Sequence, residues 1–424
     1  WIEGILSVSD FLKFKEQSIK MMDRSDLFWW FRNIDRNDIF YSMLLHFYSL
    51  IKEKSPNFIL MSWTPHTVSS FIVYNICKYL GIESFTFDSS SIVPILLMRK
   101  GINGDFIDIP ASLISKNTLI ESKLERDIQK FLKKFQKDSF EDPIYMKIQK
   151  KWDTFSIINL WRNIRKNISL LMFSRIEYYG FSAINNTISI FDKILFYFLR
   201  KKIVNANIAS MRNNQLQNIQ IKKWGYVYFP LHYEPERTTN PDGGDYYDQI
   251  KALIALRWIV PSHIPIYVKE HYSQFTNALQ WYRGRGRFFY SAISKIENVH
   301  IVDMGLNSVT LIKNALCTVS ITGTTILESI CFEIPSIIMW NSWFENFTGV
   351  TKFKEILDLQ QVLENKGSIH SFHNDIKNLI SKNGIFGTIG KSNAVFYTDY
   401  YSESTISDTE LNNIFQLVKI SVWS

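Results

Sequence analysis

Cysteine is scarce in this chain. Its 424 residues contain three, Cys77, Cys317 and Cys331, an odd number, widely spaced and each set in apolar sequence. That pattern excludes a disulfide framework and offers no zinc-site spacing. It fits buried thiols in a reducing compartment. No run approaches the roughly 20 apolar residues of a membrane span, and the N-terminus lacks the layout of a secretory signal. A cytoplasmic location is the expectation. Walker A, GxGxxG, GxSxG and HExxH patterns are all missing. P-loop ATP hydrolysis, hydride transfer, and esterase chemistry lose their sequence support.

What is present is a folded composition, 46% hydrophobic, 21% charged and 15% aromatic. The length is too great for one ordinary core and suggests two domains of about 150 to 200 residues. A net charge of +8 admits nucleic acid, an anionic membrane surface or an anionic small substrate as partner. Lys/Asn/Ile-rich stretches such as Ile376 to Ile380 could equally reflect compositional bias.

Read in order, Ser25 to Lys54 has helical spacing of bulky apolar residues. Asn57 to Ser62 reads as a buried strand, Thr67 to Tyr79 as a helix stopped by Gly81, and Ser84 to Phe87 as the next strand. This βαβ unit places His66 and Asp88 at the carboxyl ends of neighbouring parallel strands, where ligands bind. Each also has a plain alternative, His66 beside a helix cap and Asp88 in a turn. Glu121 to Lys150 is charged and helical. Trp161 to Lys202 mixes aromatics with Arg and Lys, which suits either a helix on an anionic bilayer or an interdomain core. The polar run from Asn205 to Lys223 marks a boundary. The expected division is 1–204, 205–400 and a C-terminal helix within 401–424 that packs back on the first domain.

The second domain alternates strands and helices as in a doubly wound sheet. Three strands end at once in chargeable residues. Tyr226 to Phe229 runs into His232-Tyr233-Glu234-Pro235-Glu236-Arg237-Thr238-Thr239; Ile266 to Val268 ends in Lys269-Glu270-His271; Thr318 to Ile321 turns through Thr322-Gly323-Thr324-Thr325. A glycine turn into a helix presents main-chain N–H groups and hydroxyls to a phosphate or carboxylate, and Glu328 one turn on could accept from ribose hydroxyls. Thr325 and Glu328 also have capping-box spacing. Lys269 and His271 supply a cation and an imidazole for an anion, and the loop carrying Glu234, Glu236 and Arg237 could bring a carboxylate to a sugar carbon. Arg283-Gly284-Arg285-Gly286-Arg287 is a short basic run without an RNA-binding fold signature, so nucleic acid is not the expected partner. With no DxD triplet, the divalent-metal clamp of many sugar-nucleotide enzymes is missing.

Phe229 to Thr239, Val268 to His271 and Thr322 to Ile330 together resemble the capsular polysaccharide biosynthesis glycosyltransferases related to bacterial Kdo transferases. The resemblance covers Tyr226 to Trp340 well and the N-terminal half loosely. It implies an α/β, GT-B-like fold of two Rossmann-like doubly wound domains facing a cleft, with nucleotide on the C-terminal domain and acceptor on the N-terminal one. By the same analogy His271 contacts the donor phosphate, although Tyr272 follows it where the family has proline. Thr324 and Thr325 correspond to the paired hydroxyls that hold phosphate or donor carboxylate. The expected function is transfer of a sugar, an ulosonic acid from a CMP-activated donor, onto a surface polysaccharide or glycolipid, without metal or cofactor. The catalytic candidates are Glu236, Asp88, His66 and His271. The donor-binding candidates are His232, Glu234, Arg237, Thr238, Lys269, His271, Gly323, Thr324, Thr325 and Glu328. Peripheral contact with the anionic inner face of the cell membrane is a further expectation. The alternatives are a UDP-sugar epimerase of similar fold and a non-catalytic nucleotide-sugar or glycan-binding partner.

Overall fold

The computed structural model describes residues 7–24, 26, 31–110, 118–136, 190–217, 221, 223, 225–275, 284–387 and 408–423. The Trp161 to Lys202 region lies outside these up to residue 189, as do Arg283 and the stretch from 276 to 282.

The fold is mixed α/β, built on a four-stranded and a six-stranded sheet. The N-terminal unit opens with α1 (Val8–Met21) and α2 (Asn33–Lys54), followed by β1 (Phe58–Met61), α3 (Val68–Tyr79), β2 (Glu83–Ser89), β3 (Ile95–Lys100) and α4 (Thr118–Gln136). Thr67 caps α3 by accepting from the Ser70 N–H, so the helix starts where the Thr-Val-Ser-Ser sequence lets it. β1 and β2 run parallel, whereas β3 returns antiparallel to β2. This sheet is therefore not doubly wound throughout. Ser90 to Pro94 reverses the chain directly, with no helix to carry it back for a parallel crossover.

After α5 (Ile190–Asn213) the C-terminal unit runs β4 (Val227–Pro230), α6 (Gln249–Ile259), β5 (Ile266–Lys269), α7 (Phe289–Ile293), β6 (Val299–Val302), α8 (Ser308–Asn314), β7 (Cys317–Ser320), α9 (Thr325–Cys331), β8 (Ser336–Ile338) and β9 (Val350–Lys352). All six strands are parallel, in the order β6-β5-β4-β7-β8-β9. The strands are apolar on both faces because helices cover both. Val227 and Phe229 pack with Leu253 and Leu256 of α6, while Tyr226 and Tyr228 pack with Leu311 and Ile312 of α8. The chain leaves β4 first toward β6 and then returns beside β4 at β7, so the β4–β7 edge is the topological switch point.

The chain then comes back to the first unit. α10 (Leu359–Glu364) is followed by α11 (Ile369–Asn383), and β10 (Gly384–Phe386) pairs antiparallel with β3. α12 (Asp408–Trp423) lays Ile414, Leu417 and Val418 against Phe85, Leu96 and Ile385. A single apolar cluster joins Ile95 and Leu97 of β3, Ile128 and Leu132 of α4, Ile326 and Ile330 of α9, and Phe372 and Ile376 of α11. Cys77, Cys317 and Cys331 are buried and unpaired. No helix of the described residues is long and apolar enough to cross a membrane.

Candidate functional site

The switch point is built from the ends of β4, β5 and β7. His232 follows β4 and is buried; its Nε2 lies 3.0 Å from Ser320 Oγ, which also accepts the Gly323 N–H at 3.0 Å. Gly323 has no room for a side chain, since a Cβ there would come within 2.6 Å of Ser320 Oγ and 3.2 Å of the His232 ring. Thr322 donates its hydroxyl to the Thr238 carbonyl at 2.6 Å, tying the β4 loop to the β7 turn. Thr324 caps α9 by position only, its hydroxyl making no capping bond. The Thr325–Glu328 capping box therefore does not form, and Glu328 is half-buried with its charge toward Tyr228 and Cys331.

The β5 end is held from below by an ion pair that sequence patterns did not reveal. Glu270 and Arg285 are both buried, with Arg285 Nε and Nη2 donating to the two carboxylate oxygens at 2.8 and 2.9 Å. The Tyr290 hydroxyl and the His271 N–H, each at 2.6 Å, complete the carboxylate's shell. Arg285 also donates to the His232 carbonyl at 2.8 Å, so one guanidinium fixes both loops. The arginine of the short basic run is thus part of the frame. Only the close approach of Gly284 to the Glu234 carbonyl hinted at this, and that needs the fold to be seen.

His271 receives the Ser273 N–H on Nδ1 at 3.2 Å. The neutral ring then carries its proton on Nε2, which no described residue takes up. Burial, aided by Arg285 and Lys269 and opposed by Glu270, pushes its pKa down to about 4. His232 is pushed down to about 3 by burial, with His271 and Arg285 adding to it. Both rings are neutral at physiological pH, suited to donate or accept a hydrogen bond without carrying charge.

Glu234 is placed differently from the expectation of a donor-binding residue. Its side chain is buried, accepts from Gln249 Nε2 at 2.8 Å and lies 3.8 Å from Lys20 Nζ, while its main-chain N–H donates to Gln274. It lines a separate cavity of about 620 Å³ with Lys20, Asp248 and Arg287, a cavity that none of His66, Glu236, His271 and Thr324 reaches. Lys269 is turned to Ser308 Oγ at 2.8 Å on the β6 side. Lys269 still stands close enough to His271 to help lower its pKa, and Glu234 is directed to Gln249 and Lys20.

Across the seam stand groups from the loop after β1. Arg237 donates to Thr64 Oγ1 at 2.5 Å, pairs with Asp242 at 3.4 Å and lies over the Trp63 ring. Burial works against the Arg237 charge, but Asp242, Asp88 and Glu236 outweigh it and raise its pKa. Asp242 is itself raised by burial. Asp88 is engaged by Arg99 at 3.1 Å and by the Ser89 N–H at 3.1 Å. Glu236 is half-exposed, and no described residue donates a hydrogen bond to its carboxylate. The His66 residue is exposed at the surface, yet enough protein surrounds its ring to lower the pKa, with Arg24 and Arg237 adding to that and Glu236 pulling the other way. Among the described residues no three His, Cys, Asp or Glu side chains come together as a metal site would require.

No family model matches the chain, and no curated protein does. Among solved structures it is similar to the Thermosulfurimonas dismutans KpsC, a beta Kdo 2,7 transferase, at 11% identity over 78% of this chain and 88% of that one, with a TM-score of 0.27. It is also similar to UDP-GlcNAc 2-epimerases. That of Methanocaldococcus jannaschii has 12% identity over 87% and 83% of the two chains, with a TM-score of 0.25. That of Neisseria meningitidis, bound to UDP-GlcNAc, has 11% identity over 91% and 81%, with a TM-score of 0.23.

Proposed function

We propose that the chain is a GT-B-like sugar-handling enzyme, a glycosyltransferase that moves an ulosonic acid from a CMP-activated donor onto a polysaccharide or glycolipid acceptor. The observation that carries this reading is the His271 Nε2–H, taken up by no described residue, on the same sheet edge as the Thr322 to Thr325 turn, with the half-exposed Glu236 on the loop that leaves that edge after β4. With the Gly323 N–H and the Thr322 hydroxyl taken by Ser320 and Thr238, it is the Thr324 and Thr325 hydroxyls and the N–H groups opening α9 that suit a phosphate. His271 donates to the phosphate oxygen as the bond from sugar to phosphate breaks and the electron pair leaves with the CMP. Glu236 takes the proton of the acceptor hydroxyl as the new glycosidic bond forms. Asp88, already bound by Arg99, is the weaker candidate for that base. No step calls for a divalent metal, and turnover is expected to survive EDTA.

A second reading is supported by the pair of acid–base groups His66 and Glu236. Removing and returning a proton at one sugar carbon is what an epimerase of a UDP-sugar needs. A thermal-shift screen of CMP, UDP, GDP and ADP separates the two, since a bound ligand raises the midpoint by mass action. CMP binding followed by acceptor-dependent release of CMP supports the transferase. UDP binding with interconversion of a free UDP-sugar supports the epimerase. Nucleotide binding without turnover leaves a binding partner, and no nucleotide binding sinks all three.

Peripheral membrane contact belongs to the same proposal. On α5, Phe191, Leu195 and Leu199 are exposed at successive turns. Salt-sensitive sedimentation with anionic but not neutral vesicles is the expected result, and equal sedimentation with both rejects it.

A further inference from the structure

No motif singles out Arg24, the last residue of the short turn Met22–Arg24 that follows α1. Its position does. Nη1 donates to the His66 carbonyl at 2.8 Å, which ties the N-terminal helices to the loop after β1. Nε is buried and has no hydrogen-bond partner among the described residues. A buried guanidinium with an unfilled donor is unfavourable unless opposite charge compensates it. The compensating carboxylates come from across the seam, Glu236 first, then Asp242 and Glu234. Burial lowers the Arg24 pKa to about 10, which still leaves it charged at neutral pH.

We propose that Arg24 is a positioning residue of the cleft, fixing the loop that carries His66 and setting a permanent positive charge beside His66 and Glu236. The inference rests on the reading that His66 and Glu236 face the reacting sugar. Three charged groups face the His66 ring: Arg24 from the turn after α1, and Glu236 and Arg237 from the loop after β4. Arg237 is itself held by Asp242 and Asp88. After burial, Arg24 is the largest influence keeping the His66 imidazole neutral, and Glu236 pulls the other way. Arg24 therefore favours the neutral imidazole beside the Glu236 carboxylate.

The test is the NMR titration of His66 in the full chain, its resonance assigned by loss in His66→Ala. Arg24→Met removes charge and donor. Arg24→Gln keeps a donor for the His66 carbonyl and removes the charge. Arg24→Lys keeps the charge and gives up the planar fork. The His66 midpoint is expected to rise in the Met and Gln variants, to stay in the Lys variant, and to fall in Glu236→Gln. An unmoved midpoint in a folded Arg24→Gln protein overturns the proposal. So does a failure of both neutral variants to fold, because Arg24 would then belong to the frame. With the nucleotide-sugar that the wild type turns over, Arg24→Gln is expected to lower kcat by about 10-fold to 100-fold at nearly unchanged donor KM. If the wild type binds no nucleotide, the functional reading fails by itself, and the titration still decides whether Arg24 acts on His66.

Discussion

At the scale of single residues, the groups that differ most are those that look alike in sequence. Glu236 lies in the loop after β4 and Asp88 near the end of β2, and both are candidates for the carboxylate. Asp88 is bound by Arg99, whereas Glu236 is free of hydrogen bonds from described residues. Glu236→Gln is therefore expected to lower turnover by about 100-fold to 10000-fold with donor affinity nearly intact. Asp88→Asn is expected to cost stability at the Arg99 pair and little turnover. His271→Ala is expected to fold and lose most of its transfer rate. Steady-state kinetics beside a melting curve for each variant checks all three, and near wild-type turnover of folded His271→Ala removes the histidine from the site. The strand-end position of these residues was legible because an apolar strand followed at once by His, Glu or Thr is a local pattern. Which way each side chain turns was not. Glu234 and Glu236 are two residues apart on one loop, yet one is buried against Gln249 and the other is half-exposed. Arg24 carried no local signal and Arg285 was visible only as part of a short basic run, because it is the fold that brings their partners to them.

At the scale of elements, β4, β5 and β7 were readable because buried parallel strands are short apolar runs bounded by turns. β3, β9 and β10 were not, being recognised only by the strands they pair with. The loops after β4 and β5 form one acid-sensitive element. His232 and His271 have pKa values of about 3 and about 4 in the folded protein against an ordinary 6.5. As the pH falls, the unfolded chain takes up these protons first, so stability present above about pH 6.5 drains away toward pH 4 and then 3. At pH 5 the loss is expected to be roughly 2 kcal/mol for each ring. Urea denaturation at pH 7.5 and pH 5 measures it. The difference should shrink in His271→Ala, and an unchanged midpoint in the wild type would mean that the rings are protonated without strain.

At the scale of the whole molecule, the two α/β units are sewn together more than once. Lys13 pairs with Asp245, Gln17 donates to the Gly244 carbonyl at 3.3 Å, and Asn240 donates to the Gln17 carbonyl at 3.0 Å. On the far side Trp340 and Asn341 donate to Asn103. The longest stitch is the return of the chain itself. β10 covers the edge of β3, and α11 and α12 cover apolar surface from Phe85, Leu96, Ile95 and Leu97. A piece holding residues 1–217 alone would present β3 as an open apolar edge, the kind of edge that pairs with other chains. That piece is expected to aggregate or to melt without a cooperative transition. Supplying residues 369–424, by co-expression or by fusion through a flexible linker, is expected to restore a soluble protein with one. The comparison isolates the covering segment, since the six-stranded sheet is absent from both samples. A cooperative, monomeric 1–217 would mean that the N-terminal unit closes its own edge and that β10 adds nothing it needs. Rescue by the fusion would instead make the last stretch of the chain part of the first unit's core.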